Sequence, residues 1–403
     1  MEVCNRMAME FAQSPRSTLG IEWELQLLDS DSYDLRQSAN AVIDSLRALP
    51  ADTSIVQREM LLNTVELVSL PHETVHECTA DLQYALSLLQ PILEPLRITL
   101  GSSGTHPFAD PAYQHVTDSN RYAELVNRTQ YWGRQMLLFG THVHVGIEDR
   151  AKVLPILRAM LTRFAHLQAL TAASPFWNGA NTGYADNRAM VFQQLPTAGT
   201  PHQFDTWEEL ERYTDGMLKT GIIDHFNEVR WDIRPSPKYG TLEMRMCDSA
   251  SNISEVAMVA ALCQCLVEYF SRQYDAGEQL PSLPAWFVDE NKWRAARYGM
   301  DAILILDDAG NEELVTDTLM QMYEDLLPIA QELGCAQELG YITEVLRLGA
   351  PYQRQLRVAQ LHNKSREAIA AFMCAEMKAG TALDPERVEL DGELQSLHTR
   401  DLT

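Results

Sequence analysis

Hydrophobic and polar residues alternate in several short stretches of this chain, beginning with residues 18–29, TLGIEWELQLLD. Read as a β-strand, this stretch directs its side chains alternately to two faces. One face is apolar and the other polar: Ile21, Trp23, Leu25 and Leu27 against Glu22, Glu24 and Gln26. Two carboxylates on one pleat repel each other, and a divalent metal ion is a common reason for holding them together. The alternative is an ordinary half-buried strand whose polar face meets water.

The same alternation predicts three further strands, each with one apolar face and one ionisable face. They are residues 139–147 (FGTHVHVGI), 229–236 (VRWDIRPS) and 240–248 (GTLEMRMCD). The predicted ionisable faces carry His142 and His144, then Arg230, Asp232 and Arg234, then Thr241, Glu243 and Arg245. Because only the short connection PKYG (residues 237–240) joins the last two stretches, with its Gly240 opening the second, we expect them to form an antiparallel hairpin.

Residues 54–70 are also rich in β-branched and apolar residues, and they carry Glu59 and Glu66. Seven residues apart on one regular strand, these carboxylates would face opposite ways. Both can reach one face only if a bulge or turn interrupts the strand, and we expect that break near Leu62 and Asn63. Otherwise one of the two glutamates is a surface acid.

Apolar residues at helical spacing predict helices over residues 40–49, 73–97, 119–137, 151–171 and 252–270, and two or three more within 312–374. Residues 174–207 instead contain many Pro, Gly and Asn residues and read as a long loop. Long loops in compact proteins often form sites. Residues 186–188 (Asp-Asn-Arg) therefore either contact a substrate or lie on the surface.

Composition narrows the class of protein. With 403 residues, 46% hydrophobic and 22% charged, the chain has the balance of a soluble globular protein. No apolar run approaches the length of a membrane span, and the first residues lack the apolar core of a secretory signal. The seven scattered cysteines indicate reduced thiols in a cytoplasmic protein. A net charge of −24 argues against nucleic acid and anionic membranes as partners.

Four amphipathic strands predict a mainly antiparallel sheet with helices on its apolar face and an ionisable cleft on the other. Carboxylates with a histidine suit Mg²⁺, or Mn²⁺ as the alternative ion. Arginines bind phosphate oxygens in a bidentate manner. Together these groups indicate nucleotide-dependent phosphoryl transfer. Neither a P-loop nor a kinase glycine-rich loop is present in the sequence.

Six sequence blocks together resemble a known family. They are TLGIEWEL, NTVELVS, GTHPF, GTHVHVG, ASPFW with TGYADNRA, and WDIRPSPKYGTLEMRMCD. From about residue 15 to residue 375 the chain resembles the carboxylate–amine ligases of the type 2 glutamate–cysteine ligase family. The resemblance implies an α+β, glutamine-synthetase-like fold, in which a mainly antiparallel sheet forms a catalytic funnel and helices pack on its outer face.

In such enzymes ATP phosphorylates a substrate carboxylate, and an amine then attacks the acyl phosphate to give an amide, ADP and phosphate. The resemblance implies ATP and Mg²⁺ as cofactors, and small-molecule substrates, namely an amino acid carboxylate and an amine. Carried onto this sequence, it gives a set of metal ligands: Glu22, Glu24, Glu59, Glu66, His142 and Glu243. Arg234 and Arg245 resemble the arginines that hold the transferred phosphoryl group, with His144 as a neighbouring cofactor contact. The predicted catalytic residues are Arg234, Arg245 and Glu66.

Two other functions remain open at this point. One is a metal-dependent amidase or deamidase on the same scaffold, because a metal cluster can also orient water. The other is a nucleotide-binding regulatory protein with little catalysis. Whichever function is correct, we expect a flexible leader at residues 1–16, a single catalytic domain at 17–375 and a polar C-terminal tail at 376–403. The sequence leaves a homo-oligomer open.

Overall fold

A single antiparallel sheet organises the part of the chain that the computed structural model describes, residues 9–118 and 120–390. The strands are β1 (Leu19–Asp29), β2 (Val56–Arg58), β3 (Thr64–Val68), β4 (Ile98–Gly101), β5 (Gly140–Gly146), β6 (Phe176–Trp177), β7 (Ala180–Asn181), β8 (Ile233–Ser236), β9 (Thr241–Asp248), β10 (Ile303–Ile305) and β11 (Glu312–Leu314). The main sheet has the order β2-β3-β1-β5-β9-β8, with β4 paired to β1. Pairs β6–β7 and β10–β11 are separate small hairpins.

The helices surround this sheet. They are α1 (Ala39–Arg47), α2 (Val75–Leu93), α3 (Asn120–Thr129), α4 (Tyr131–Arg134), α5 (Arg150–Leu161), α6 (Phe164–Thr171), α7 (Asn187–Phe192), α8 (Trp207–Lys219), α9 (Ile253–Asp275), α10 (Ala285–Tyr298), α11 (Val315–Leu333), α12 (Ala336–Leu348), α13 (Pro351–Leu361) and α14 (Arg366–Ala379). Helices α2, α5, α6 and α9 pack on the apolar side of the sheet. The opposite side of the sheet is therefore left to the polar side chains.

Strand β1 is the centre of this arrangement, and its alternation gives the predicted faces. Ile21, Trp23 and Leu25 are fully or almost fully buried in the core. The Trp23 indole also donates a hydrogen bond from Nε1 to the carbonyl of Ala250 at 3.0 Å. Since the side chains alternate, burying this face commits Glu22 and Glu24 to the other face.

The predicted break in residues 54–70 is confirmed. Strands β2 and β3 are antiparallel partners joined by residues 59–63, so the chain reverses where one long strand would have continued. Asn63, inside this connection, is fully buried, and its side chain donates to Gln114 at 2.7 Å. The reversal leaves Glu66 on β3, while Glu59 lies in the connection itself.

Some helix predictions were wrong in number. Residues 312–374 contain four helices rather than two or three, and the predicted helix at 151–171 divides into α5 and α6 around Thr162 and Arg163. Glycines with positive φ break the C-terminal region, namely Gly334 (φ 72°) and Gly349 (φ 93°). Such backbone conformations end a helix even where the hydrophobic spacing continues on both sides. The predicted loop at 174–207 contains the short helix α7, and the sequence did not predict α8 or α10.

The core contains one long apolar helix, α9. Among the described residues, α9 is long and apolar enough to cross a membrane, but 83% of its apolar window is buried inside the protein. It is therefore the core helix behind the sheet. The six cysteines within the described residues are buried free thiols, and Cys4 lies outside those residues.

Both ends of the described part of the chain pack against the main sheet and its helices. Residues 9–16 precede β1, and Met9 and Phe11 from this segment pack against the core. At the other end, α14 continues to Ala379, past the predicted boundary at residue 375. Residues 1–8 of the predicted leader and 391–403 of the predicted tail lie outside the described residues.

Candidate active site

A cleft of about 680 Å³ opens on the polar face of the sheet. The structure brings all nine sequence-predicted site residues into its lining: Glu22, Glu24, Glu59, Glu66, His142, His144, Arg234, Glu243 and Arg245. Strand register explains the convergence. Directly opposed pairs are Glu24 with Glu66, Glu22 with His142, and His144 with Glu243. Residues from five strands thus form rows across one face.

Glu22, His142 and Glu243 form a first group whose ligand atoms all lie within 4.8 Å of one another. The Glu22 carboxylate lies 3.0 Å from Nδ1 of His142 and 3.5 Å from Nε2 of His144. Burial alone would raise the pKa of Glu22, but the two imidazoles lower it below its ordinary value. Glu22 is therefore held as a carboxylate, the form that binds a cation.

Glu24, Glu66 and His142 form a second such group, so the two groups share one imidazole. Burial and the Glu59 charge raise the pKa of Glu24 to about 8. Burial and the charges of Glu22 and Glu59 likewise raise the pKa of Glu66 well above its usual value. Carboxylates crowded in this way repel each other, and a bound cation would relieve the repulsion.

His142 is suited to its place between the two groups. Burial and the nearby charge of Arg245 lower the pKa of His142 to about 4, so its ring is neutral at physiological pH. A neutral imidazole retains the lone pair that a metal ligand needs. Oxygen donors with one such nitrogen fit Mg²⁺ or Mn²⁺.

Glu59 lies in the cleft but belongs to neither group. Its Oε2 accepts a hydrogen bond from the hydroxyl of Tyr122 at 3.0 Å, and its own carbonyl accepts one from Thr117 at 2.7 Å. These contacts hold the connection between β2 and β3 against the segment that leads into α3. Glu59 contributes negative charge to the cleft where the connection between β2 and β3 lines it.

Two predicted arginines converge on Glu243. Arg234 donates to Oε2 of Glu243 from Nε at 2.9 Å and from Nη2 at 2.6 Å. Arg245 donates from Nη1 to the other carboxylate oxygen, Oε1. Burial would raise the pKa of Glu243, but the two guanidinium groups lower it. Nε of Arg245 is buried without a hydrogen-bond partner in the described structure, so this guanidinium has unused capacity for an anion.

His144 is oriented by its second ring nitrogen. Nδ1 lies 2.9 Å from the hydroxyl of Thr241, on the neighbouring strand β9. This contact directs Nε2 toward Glu22 at 3.5 Å and Glu243 at 3.7 Å. His144 therefore lies between the first ligand group and the arginines.

The sequence left Arg188 undecided, and the structure places it in the cleft. Its guanidinium donates to the carbonyl of Arg245 at 3.2 Å, and Nη2 lies 3.4 Å from Nε2 of His142. A Cβ at Gly140 would lie 2.2 Å from Nη2, so this approach requires glycine in β5. Arg188 arrives on α7, a helix, and strand periodicity could not have found it.

Asp186 does not line the cleft. It is buried and caps α7, accepting a hydrogen bond from the backbone of Ala189 at 2.8 Å. Its other oxygen accepts from the side chain of Gln168 at 2.8 Å. Asp186 thus positions the helix that carries Arg188.

The prediction that Arg230, Asp232 and Arg234 share the ionisable face was wrong for Asp232. Strand β8 begins only at Ile233, so Asp232 precedes the regular alternation. Its carboxylate instead accepts a hydrogen bond from the buried Lys292 of α10 at 2.6 Å. This ion pair fixes α10 against the main body, away from the cleft. Arg230 and Arg234 do line the cleft.

Sequence comparison places the chain among known proteins. The profile of glutamate–cysteine ligase family 2 (GCS2) matches residues 18–376. A Paenarthrobacter aurescens protein named "Putative glutamate--cysteine ligase 2-2" is 49% identical over 380 residues, covering 93% of this chain and 99% of its own. A Mycobacterium ulcerans protein named "Putative glutamate--cysteine ligase 2" is 51% identical over 369 residues, covering 92% and 93%.

Solved structures show the same fold. The glutamate–cysteine ligase of Francisella tularensis, solved in complex with AMP, aligns with a TM-score of 0.62 at 12% identity, covering 96% of this chain and 92% of its own. A bifunctional glutathione synthetase from Pasteurella multocida aligns with a TM-score of 0.61 at 15% identity, covering 90% and 52%. The predicted α+β, glutamine-synthetase-like fold is confirmed. The chain belongs to glutamate–cysteine ligase family 2, a family of ligases that form carbon–nitrogen bonds.

Proposed function

We propose that this protein is an ATP-dependent carboxylate–amine ligase that forms an amide through an acyl phosphate. The observation that carries the proposal is the pair of ligand groups sharing His142, with the guanidinium groups of Arg234 and Arg245 beside them. Phosphoryl transfer depends mainly on positioning and on neutralising charge, and these residues provide both. Family membership supports the same reaction class.

The donor groups fit Mg²⁺, which we propose as the resident ion, with Mn²⁺ as the alternative. Glu22, His142 and Glu243 would hold one ion, and Glu24 and Glu66 would contribute oxygen ligands to a second. A neutral imidazole has one nitrogen lone pair, so His142 would ligate one ion at a time. When bound, such ions neutralise phosphate charge. We assign Glu59 to the wider acidic wall, since it lies outside both groups.

The protein's own side chains account for the remaining roles. We propose that Arg234 and Arg245 bind the transferred phosphoryl oxygens, with His144 alongside them. Arg188 extends this cationic surface to the opposite side of His142. Glu66 is assigned to the catalytic set because its pKa is raised and it lies directly opposite Glu24.

The relatives' names make glutamate and cysteine the first substrate pair to test. The purified protein is incubated with Mg²⁺, ATP, glutamate and a panel of amines that includes cysteine, and ADP release is measured. ADP that appears only with a particular amine supports the ligase. Hydrolysis of an amide without ATP would instead indicate an amidase or deamidase. ATP binding without either reaction would indicate a regulatory protein.

A further inference from the structure

The lining of the cleft is net cationic toward one end, even with Glu228 and Glu243 counted there, and net acidic toward the other, even with Arg58 counted there. Strands β8 and β9 and their connections bring Arg230, Arg234, Lys238 and Arg245 to one end. At the opposite end, β1, β3 and the connection before β3 bring Glu24, Glu59 and Glu66. The sheet order separates these ends, because β8 and β2 are its two edges. A polyanionic triphosphate is attracted to the cationic end.

The turn between β8 and β9 presents an aromatic ring at this end. Tyr239 is 54% exposed, although it lines the cleft. Its ring meets the His144 ring edge-on, with centroids 5.9 Å apart and an interplanar angle of 89°. The ammonium of Lys238 lies 4.8 Å from the centre of the Tyr239 ring. An exposed ring flanked by a cation is a suitable surface for a planar base that carries phosphates.

The segment of residues 9–16 holds this turn from outside. The backbone N–H of Ala12 donates to the carbonyl of Pro237 at 2.8 Å, and the Ser14 hydroxyl donates to the carbonyl of Tyr239 at 2.9 Å. Gly240 has a φ of +65°, and a Cβ there would lie 2.1 Å from the Ala12 carbonyl oxygen. The segment therefore packs directly on the backbone of the turn.

The segment is itself attached at both ends. At one end, the Trp207 indole donates to the carbonyl of Met9 at 3.0 Å and its ring meets Phe11 edge-on at 5.6 Å. At the other end, Nε of Arg16 donates to Glu268 of α9 at 2.8 Å. Met9 also lines the cleft. The family match begins at residue 18, so this segment lies outside it.

We propose that residues 9–16 and the Lys238–Tyr239 turn form the nucleotide-binding rim of the cleft, with Tyr239 as the residue that stacks on the base. Tyr239 is then a specificity-determining residue, and the N-terminal segment positions it. This inference rests on the proposed ATP-dependent function. It adds that recognition of the base is separate from recognition of the phosphates.

Calorimetric titration of the full-length protein tests this separation, with Mg²⁺–ATP and with Mg²⁺–tripolyphosphate, which lacks the base. Tyr239→Ala is expected to weaken ATP binding about tenfold, the usual effect of losing one stacked base. Its affinity for tripolyphosphate should stay at the wild-type value. Tyr239→Phe keeps the ring and is expected to bind ATP as the wild type does.

The role of the segment is tested with Phe11→Ala and Ser14→Ala, which are expected to weaken ATP binding several-fold while sparing tripolyphosphate. Gln13→Ala, at an exposed position on the same segment, is the matched control and should bind ATP normally. Equal ATP affinity in Tyr239→Ala and wild type overturns the inference, as does an equal loss of both ligands. A wild-type protein that binds neither ligand overturns the proposed function as well.

Discussion

At the scale of single residues, several side chains of the site each contact more than one other charged group. The imidazole of His142 lies within reach of both candidate ligand groups, and the carboxylate of Glu243 pairs with both Arg234 and Arg245. The Glu243 carboxylate is thus balanced by two arginines that are also proposed to bind phosphoryl oxygens. Changing one member is expected to alter the whole cluster, so single substitutions here should have large and non-additive effects.

Glu24→Gln removes a carboxyl group that can ionise to bind a cation but retains an oxygen that can accept the N–H of Gly140, bonded at 2.5 Å in the wild type. We expect Mg²⁺-dependent ADP release to fall by about 100-fold or more. Thermal stability without metal at pH 7 should be close to the wild-type value, because the raised pKa of Glu24, about 8, leaves its carboxyl mostly protonated there. Mg²⁺ should raise the melting temperature of the wild type and not of this variant.

The matched control is Glu324→Gln, at an exposed position on α11. It should retain both activity and the Mg²⁺-dependent shift in melting temperature. A Glu24→Gln protein that behaves like this control would show that Glu24 is not a metal ligand.

Arg245→Lys keeps the positive charge but loses the planar fork that binds a carboxylate and a phosphoryl oxygen together. We expect about a 100-fold loss of ADP release, mainly in kcat. Steady-state kinetics with varied ATP measures it. Arg357→Lys, at an exposed position on α13, is the control. Equal kcat values in the two variants would contradict a phosphoryl role for Arg245.

At the scale of elements, two short features decide which residues reach the cleft. The spacing of Glu59 and Glu66 predicted the reversal between β2 and β3, and the strand register then places Glu66 opposite Glu24. Helix α7 brings Arg188 to His142, which the sequence did not predict. The first feature follows from local alternation. The second depends on a helix packed against a distant part of the chain.

Asp186→Ala tests the contribution of α7. It removes the helix cap and the contact with Gln168, and loss of a cap costs about 1 kcal/mol of stability. Because Arg188 would be held less accurately, we expect about a tenfold loss of ADP release as well. Burial raises the pKa of Asp186, so the neutral variant Asp186→Asn should retain most of the stability and most of the ADP release. Urea denaturation and ADP release measure the two effects. Equal losses in both variants would argue against positioning through the cap.

At the scale of the whole molecule, the fold keeps several ionisable groups from water. His106, in the block GTHPF, is one of them, and it neither lines the cleft nor belongs to the ligand groups. Its Nε2 lies 2.9 Å from the carbonyl of Tyr33, and its Nδ1 accepts the N–H of Ala109 at 3.0 Å. Burial lowers the pKa of His106 to about 4. The folded protein therefore holds this ring neutral where the unfolded chain protonates it.

This difference makes stability depend on pH. An unfolded histidine titrates near about 6.5, so the contribution of His106 is complete above that pH and is lost as pH falls toward 4. At pH 5 the loss from this residue is about 2 kcal/mol. We expect His106→Gln to show a smaller fall in unfolding free energy between pH 7.5 and 5 than the wild type, measured by urea denaturation. His76→Gln, at an exposed position on α2, is the control and should retain the wild-type fall.

The sequence by itself determined which residues share a face wherever the strand is regular, because alternation with a period of two is a local property of the chain. It therefore gave Glu22 with Glu24, His142 with His144, and Glu243 with Arg245, and the recurring blocks indicated the family. The tertiary structure alone decided which strands are neighbours, and so which of these pairs face each other. It also turned Asp232 toward Lys292, brought Arg188 into the cleft, kept Glu59 outside both ligand groups and laid residues 9–16 along the rim. Each of these outcomes depends on contacts between residues far apart in the chain, which local periodicity does not encode.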